Sequence, residues 1–232
     1  MIDSSQPAHV GPLTREALRT PRAAAVAGIV FALLLFTVLL LVRVAIPTDP
    51  EDAGQWLTDD SRRNAVRLAL NLVPFAGIAF LWFIGVVRDR IGAGEDRLFA
   101  TVFLGSGLLF IAMLFAGGAT AGGLMLTADG RPPLEVWTFG RRLTHSLFNV
   151  YAMRMAAVFT ISTTTIATRL GLAPRWLSIF GFVTGLVLMF ALGFFRWVEL
   201  LFPAWVLVFS VHMLIVSFRG GAATASNTTN NG

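Results

Sequence analysis

Long apolar stretches alternate with short arginine-bearing connections along this chain, and six of the stretches are long enough to cross a bilayer, since ~20 apolar residues span the hydrocarbon core. They fall at about Ala23 to Ile46, Asn64 to Val87, Leu98 to Leu126, Leu143 to Thr168, Trp176 to Phe195 and Val198 to Phe218. The pattern predicts an all-α membrane protein, a six-transmembrane-helix bundle over residues 23–219, with polar tails at residues 1–22 and 220–232. The second tail is a run of Gly, Ala, Asn and Thr that cannot build a core, and disorder is expected there. The first apolar run follows Arg15, Arg19 and Arg22 as a signal peptide would. Its length exceeds the ~7 to 15 residues of a signal-peptide core, so it is expected to stay as an anchor.

The arginines orient the bundle. One set of tails and connections holds Arg15, Arg19, Arg22, Arg88, Arg90, Arg97, Arg169, Arg175 and Arg219, and the other holds Arg43, Arg62, Arg63, Arg131, Arg141, Arg142 and Arg196. The first set is the larger and lies on short connections close to the spans, which predicts that both termini are cytoplasmic. The opposite connections collect Asp49, Glu51, Asp52, Asp59, Asp60, Asp129, Glu135 and Glu199, read as solvated acids rather than a calcium loop. Trp56, Trp137, Trp176 and Trp197 stand near span ends, where indole rings anchor helices at the membrane boundary.

Composition sharpens this reading. With 232 residues, 56% hydrophobic and 13% charged, the chain is too apolar for an ordinary soluble domain. The net charge of +5 comes from arginines at the ends of apolar runs rather than from one patch, so nucleic acid is not an expected partner. All 18 cations are Arg, which with the abundance of Ala, Gly, Leu and Val suits a bacterial inner-membrane protein. The absence of cysteine excludes disulfides, thiolate metal sites and Cys nucleophiles. No P-loop, HExxH or DxD pattern is present, so neither an enzyme nor a cofactor or metal is expected.

Counting ~1.5 Å per residue from the arginines that bound each span sorts the polar residues by depth. Arg43, Arg67 and Glu199 each come out ~30 Å from the cytoplasmic boundary, at the outer surface. Arg154 is only ~22 Å up and Asn71 ~25 Å, both within the outer leaflet. A charge at membrane depth costs ~2.5 kcal/mol or more unless it snorkels, pairs or meets water. Arg154 is therefore expected either to be structural, paired with Glu199 or with backbone carbonyls and Asn71, or to receive an anionic headgroup or substrate. Span four is polar throughout: at helical spacing His145, Asn149, Ala152, Ala156, Thr160, Thr163 and Ala167 share one face, with Tyr151, Arg154, Ser162 and Thr165 on the other side. Neither face suits lipid, so the helix is expected to be central. Gly118 and Gly122 in span three allow close packing, and Pro74 frees a carbonyl near Asn71. The outer halves of spans two to four could then open into a small polar vestibule lined by Arg154, Asn71, Asn149, His145 and Arg67.

His145 and His212 lie near opposite boundaries, too far apart for one haem or metal. Ser106, in Gly105-Ser106-Gly107, together with a His in the last span, invites comparison with rhomboid intramembrane proteases. Phe103 replaces the first glycine of their motif and Ser106 is on the wrong span, so it reads as a packing residue. Pro174-Arg175-Trp176 and the spaced glycines of Leu170 to Phe190 resemble segments of uncharacterised six-span bacterial integral membrane proteins. The resemblance covers about a tenth of the chain and implies no activity. The expected role is that of a structural or regulatory protein acting through a membrane-protein partner or a further copy of itself. The alternative is a small transporter or binding protein for an anionic lipid or solute.

Overall fold

A computed structural model of the protein describes residues 21–45, 59–91, 97–127, 133–191 and 197–229, all helices and turns with no strand among them. The helices are α1 (Pro21–Ala45), α2 (Asp60–Ile91), α3 (Arg97–Thr127), α4 (Leu134–His145), α5 (Met153–Arg169), α6 (Arg175–Phe190) and α7 (Leu201–Thr229). A π-helical segment, Ser146–Ala152, joins α4 to α5 in one continuous rod, and a 3-10 turn, Val198–Leu200, leads into α7. Five stretches are long and apolar enough to cross a membrane: Ala25–Ala45, Asp60–Arg88, Phe99–Thr127, Glu135–Arg169 and Val198–Phe218. The chain is thus a helical membrane protein.

Three boundaries differ from those expected. The fourth rod starts at Leu134 instead of Leu143, because Glu135, Arg141 and Arg142 prolong the helix beyond the apolar run that defined the span. α6 ends at Phe190, short of Phe195, where Ala191 leaves helical geometry at φ −99° and ψ 5°. α7 continues past Phe218 to Thr229, where disorder was expected. Ala222, Ala223 and Ala225 favour helix, and extending an existing helix needs no new nucleus. The first tail and the loop acids Asp49, Glu51, Asp52 and Asp129 lie outside the described residues.

Local signals set the turns. Asp59 caps α2, its Oδ1 accepting the backbone N–H of Ser61 at 2.9 Å. α5 closes with a Schellman motif: Gly171 has φ +66°, the Leu172 N–H donates to the Ala167 carbonyl at 2.9 Å, and the Gly171 N–H donates to that of Thr168 at 3.1 Å. Pro174 then starts α6.

The rods pack in a closed ring in chain order, α1 on α2, α2 on α3, α3 on the α4–α5 rod, that rod on α6, α6 on α7, and α7 back on α1. Neighbours alternate in direction. Gly28 near the start of α1 lies against Phe83, late in α2, and against Ser210, eleven residues on from Glu199, and Arg43 near the end of α1 reaches Glu199 at the start of the last rod. Arg169 at the end of α5 stacks on Phe99 at the start of α3, 4.4 Å from the ring centroid. One end of the ring therefore carries Arg88, Arg169 and Arg175, and the other carries Arg43, Arg67 and Glu199.

Aromatic rings fill the ring's centre. Phe31, Phe80, Phe83, Phe103, Phe110, Phe159 and Phe202, contributed by five rods, are each at most 1% exposed. Phe80 is the hub, with centroids of Phe31, Phe159, Phe110, Phe202 and Phe83 at 4.4, 4.9, 5.1, 6.0 and 6.1 Å. Inside a bilayer, lipid is as apolar as a helix face, so association rests on packing rather than on escape from water. Interlocked rings supply that packing, each pair worth ~0.5–1.5 kcal/mol. Trp137, expected at the membrane boundary, is 7% exposed in a small second core with Ala45 and Val66, at the end of the ring that carries Arg43 and Arg67.

Candidate functional site

The fourth rod was expected to be central and polar, and it packs against α3, α6 and α7. Ala152, Ala156, Thr160, Thr163 and Ala167 are buried as the helical spacing predicts, at 0–3% exposure. His145 and Asn149 depart from that face, His145 being exposed and Asn149 half-buried. The π segment explains the change. Its wider turns hold more than 3.6 residues each, so they shift the angular phase of everything before Ala152. Tyr151 and Arg154 are exposed, while Ser162 on the expected polar side is buried.

The five expected vestibule residues are not brought together. Arg67 and Asn71 are exposed on α2, and Arg154 is exposed on α5, with α3 standing between those two rods. Arg67 Nη1 donates to Asn64 Oδ1 at 3.5 Å. Between these rods the outer half is closed by close contacts: Gly117 lies against Phe148, Gly118 against Val73 and Gly77 against Phe115.

The carboxylate expected to pair with Arg154 has another partner. Glu199 lies 3.6 Å from Arg43 Nη2, both side chains about one-fifth exposed, and Arg43 also covers the Trp197 ring at 5.4 Å. His145 lies within electrostatic range of the same carboxylate. Among the described residues Arg154 has no ion pair. Depth from the nearest arginine ranks residues along the membrane normal but says nothing of their position around the ring, and there Glu199, at the start of the last rod, faces the end of α1. A double-mutant cycle on Arg43→Gln and Glu199→Gln is expected to give a coupling of ~0.5–1 kcal/mol, the upper part of the range for ion pairs that water still reaches. The same cycle on Arg154 and Glu199 is expected to give a coupling within error of zero.

The more enclosed of two described cavities lies at the other end of the ring. It measures ≈ 350 Å³ and is walled by Val87, Thr163, Ile166, Phe209, His212 and Met213, with the Gly171–Pro174 turn as its lip. The Schellman turn bends the chain from α5 into α6 and so leaves a gap beneath itself. Thr163 Oγ1 donates to the Phe159 carbonyl at 2.7 Å, satisfying its hydroxyl within its own helix. His212 is half-buried and meets Trp176 edge to face, centroids 6.4 Å apart. Among the described residues its ring nitrogens make no hydrogen bond.

Beside the cavity runs a seam of small polar side chains. Thr168 Oγ1 donates to Ser178 Oγ at 2.8 Å, tying α5 to α6. Thr164 Oγ1 and Trp205 Nε1 converge on Gly181, both buried and without a hydrogen-bond partner. Ser210 Oγ is likewise buried and unpartnered, against Gly28. Sequence reasoning followed charges and so missed this seam. Its signal was the hydroxyl run Thr160, Ser162, Thr163, Thr164, Thr165 and Thr168 facing the Gly181 and Gly185 pair on the next span. Ser106, by contrast, is satisfied, its Oγ donating to the Val102 carbonyl at 2.7 Å. Comparison with protein-family models, curated proteins and solved structures gives no match.

Proposed function

We propose that this chain is a bacterial inner-membrane protein of six spans with both termini cytoplasmic, and that it serves as a structural or regulatory element through a partner rather than by catalysis. The observation that carries this reading is the filled centre. Seven phenylalanines at most 1% exposed leave the ring's interior to side chains, not to a passage. The surface outside it presents Trp82, Tyr151 and Phe190 at 56–74% exposure, available to lipid or to another helix. The competing reading, a transporter or binding protein for an anionic lipid or solute through Arg154, Asn71, Asn149, His145 and Arg67, is less supported because Arg67 and Asn71 stand on α2, with α3 between them and the rod that carries the other three.

Photo-crosslinking amino acids placed singly at Trp82, Tyr151 and Phe190 in growing cells test the partner reading. A discrete protein adduct confined to one position supports it, provided the same partner co-purifies at fixed stoichiometry. Adducts to lipid alone at all three positions contradict it. Saturable anion flux in vesicles holding the purified protein, abolished by Arg154→Leu, would favour the competing reading.

A further inference from the structure

We propose that the crevice beneath the Gly171–Pro174 turn binds one acyl chain of an anionic phospholipid, whose phosphate is held at the mouth by Arg88 and Arg175. This goes beyond the partner reading and does not depend on it.

The wall gives the chain. Val87, Ile166, Phe209 and Met213 face a space of ≈ 350 Å³. An apolar cavity is a poor host for water, which needs two to four polar partners. The surrounding solvent at this depth is hydrocarbon, and an acyl chain can enter the crevice without leaving its leaflet. His212 is seven residues from Arg219, so the deep wall lies ~10 Å inside the boundary, within one leaflet of ~15 Å.

Charge gives the headgroup. Val87 and Pro174 line the crevice, and the residues that follow them, Arg88 and Arg175, are both exposed. Among the described residues neither arginine has an ion pair. Asp59, Asp60, Glu135 and Glu199 belong to the start of α2, of α4 or of the last rod, at the opposite end, while the side chains of Asp89, Glu95 and Asp96, between Arg88 and Arg97, lie outside the described ones. Two exposed cations at the level of the phosphates, each next in sequence to a residue of the apolar slot, suit an anionic lipid better than a zwitterionic one. Arg169 is already engaged with Phe99. His212, with no hydrogen bond of its own among the described residues, offers a ring N–H below the mouth to an ester oxygen of the same lipid.

Native mass spectrometry of the delipidated full-length protein tests this, with phosphatidylglycerol, phosphatidylcholine of the same chains, and glycerophosphoglycerol added in turn. The wild type should retain one phosphatidylglycerol in preference to phosphatidylcholine by on the order of tenfold. It should not retain glycerophosphoglycerol, which has the headgroup and no chains. Ala167→Phe, which fills the crevice, should lose the bound lipid. Val216→Trp, at an exposed position on the wall, should weaken it without threatening the fold. Arg88→Gln with Arg175→Gln should retain both phospholipids equally. Equal retention of the two by the wild type overturns the headgroup part of the proposal. Retention of glycerophosphoglycerol, or undiminished lipid on both crevice variants, overturns the chain part.

Discussion

Replacing Phe80 by alanine is expected to be the most damaging single truncation in the protein. Its ring touches four others from four neighbouring rods and Phe83 on its own helix, and it is fully buried. In a soluble core Phe→Ala costs ~3–5 kcal/mol, part of it transfer of the side chain from water and part the cavity left behind. Here the separated helices remain in lipid, so the transfer part largely disappears and the cavity part stays. A loss of ~2–3 kcal/mol is therefore expected, from reversible unfolding in mixed micelles against the mole fraction of denaturing detergent. Trp82→Ala removes a larger ring from the same helix, but one that is 68% exposed. It is expected to stay within ~0.5 kcal/mol of the parent. Equal losses for the two would mean that the aromatic centre is not the seat of stability.

Gly181→Val is expected to rank beside it, by the opposite mechanism. A Cβ on Gly181 would meet Thr164 Oγ1 and, at 2.8 Å, Trp205 Nε1. Trp205 is fully buried and Thr164 is 2% exposed, so neither can swing away and α6 must move off α5 and α7 together. One turn further along, Gly185 is equally tight, its Cβ position 3.3 Å from the Ala157 carbonyl oxygen. Overpacking costs ~1–3 kcal/mol where side chains can adjust, and the upper end applies where backbones must part. The control is Gly105→Ala, since a Cβ there meets nothing within 4 Å. It should leave the midpoint unchanged or raise it slightly through better helix propensity. A Gly181→Val protein that unfolds at the parent's midpoint would show that the α5–α6 crossing is looser than described.

Both predictions rest on residues that the sequence did not single out, and the reason is physical. Hydropathy marks where helices are, because the bilayer imposes length and apolarity on each of them separately. The existence of the rods was therefore legible. Ring order and helix rotation depend on contacts between segments, which have no local period. Phe80 reads like any lipid-facing phenylalanine in a run that also contains Phe75 and Phe83. The phase of His145 and Asn149 was lost for a related reason, since the π segment has no composition that marks it. Arg154 was legible as a misfit because its misfit is with the solvent, whereas its lack of a carboxylate partner depends on which rod Glu199 faces.

The early end of α6 bears on that arginine. Phe190 is fifteen residues from Arg175, and Arg154 is fifteen residues from Arg169 on the adjoining rod, so both lie ~22 Å from the arginine-rich boundary. α6 stops at Arg154's own level, several ångströms short of a ~30 Å core. A helix shorter than the hydrocarbon it meets draws the bilayer in around itself. A bilayer drawn in around the carbonyl end of α6 would bring headgroups and water to the guanidinium of Arg154. Local thinning of the membrane would then let an exposed arginine stand at that depth without an acid beside it. The same mismatch would favour residence of this protein in thin bilayers over thick ones.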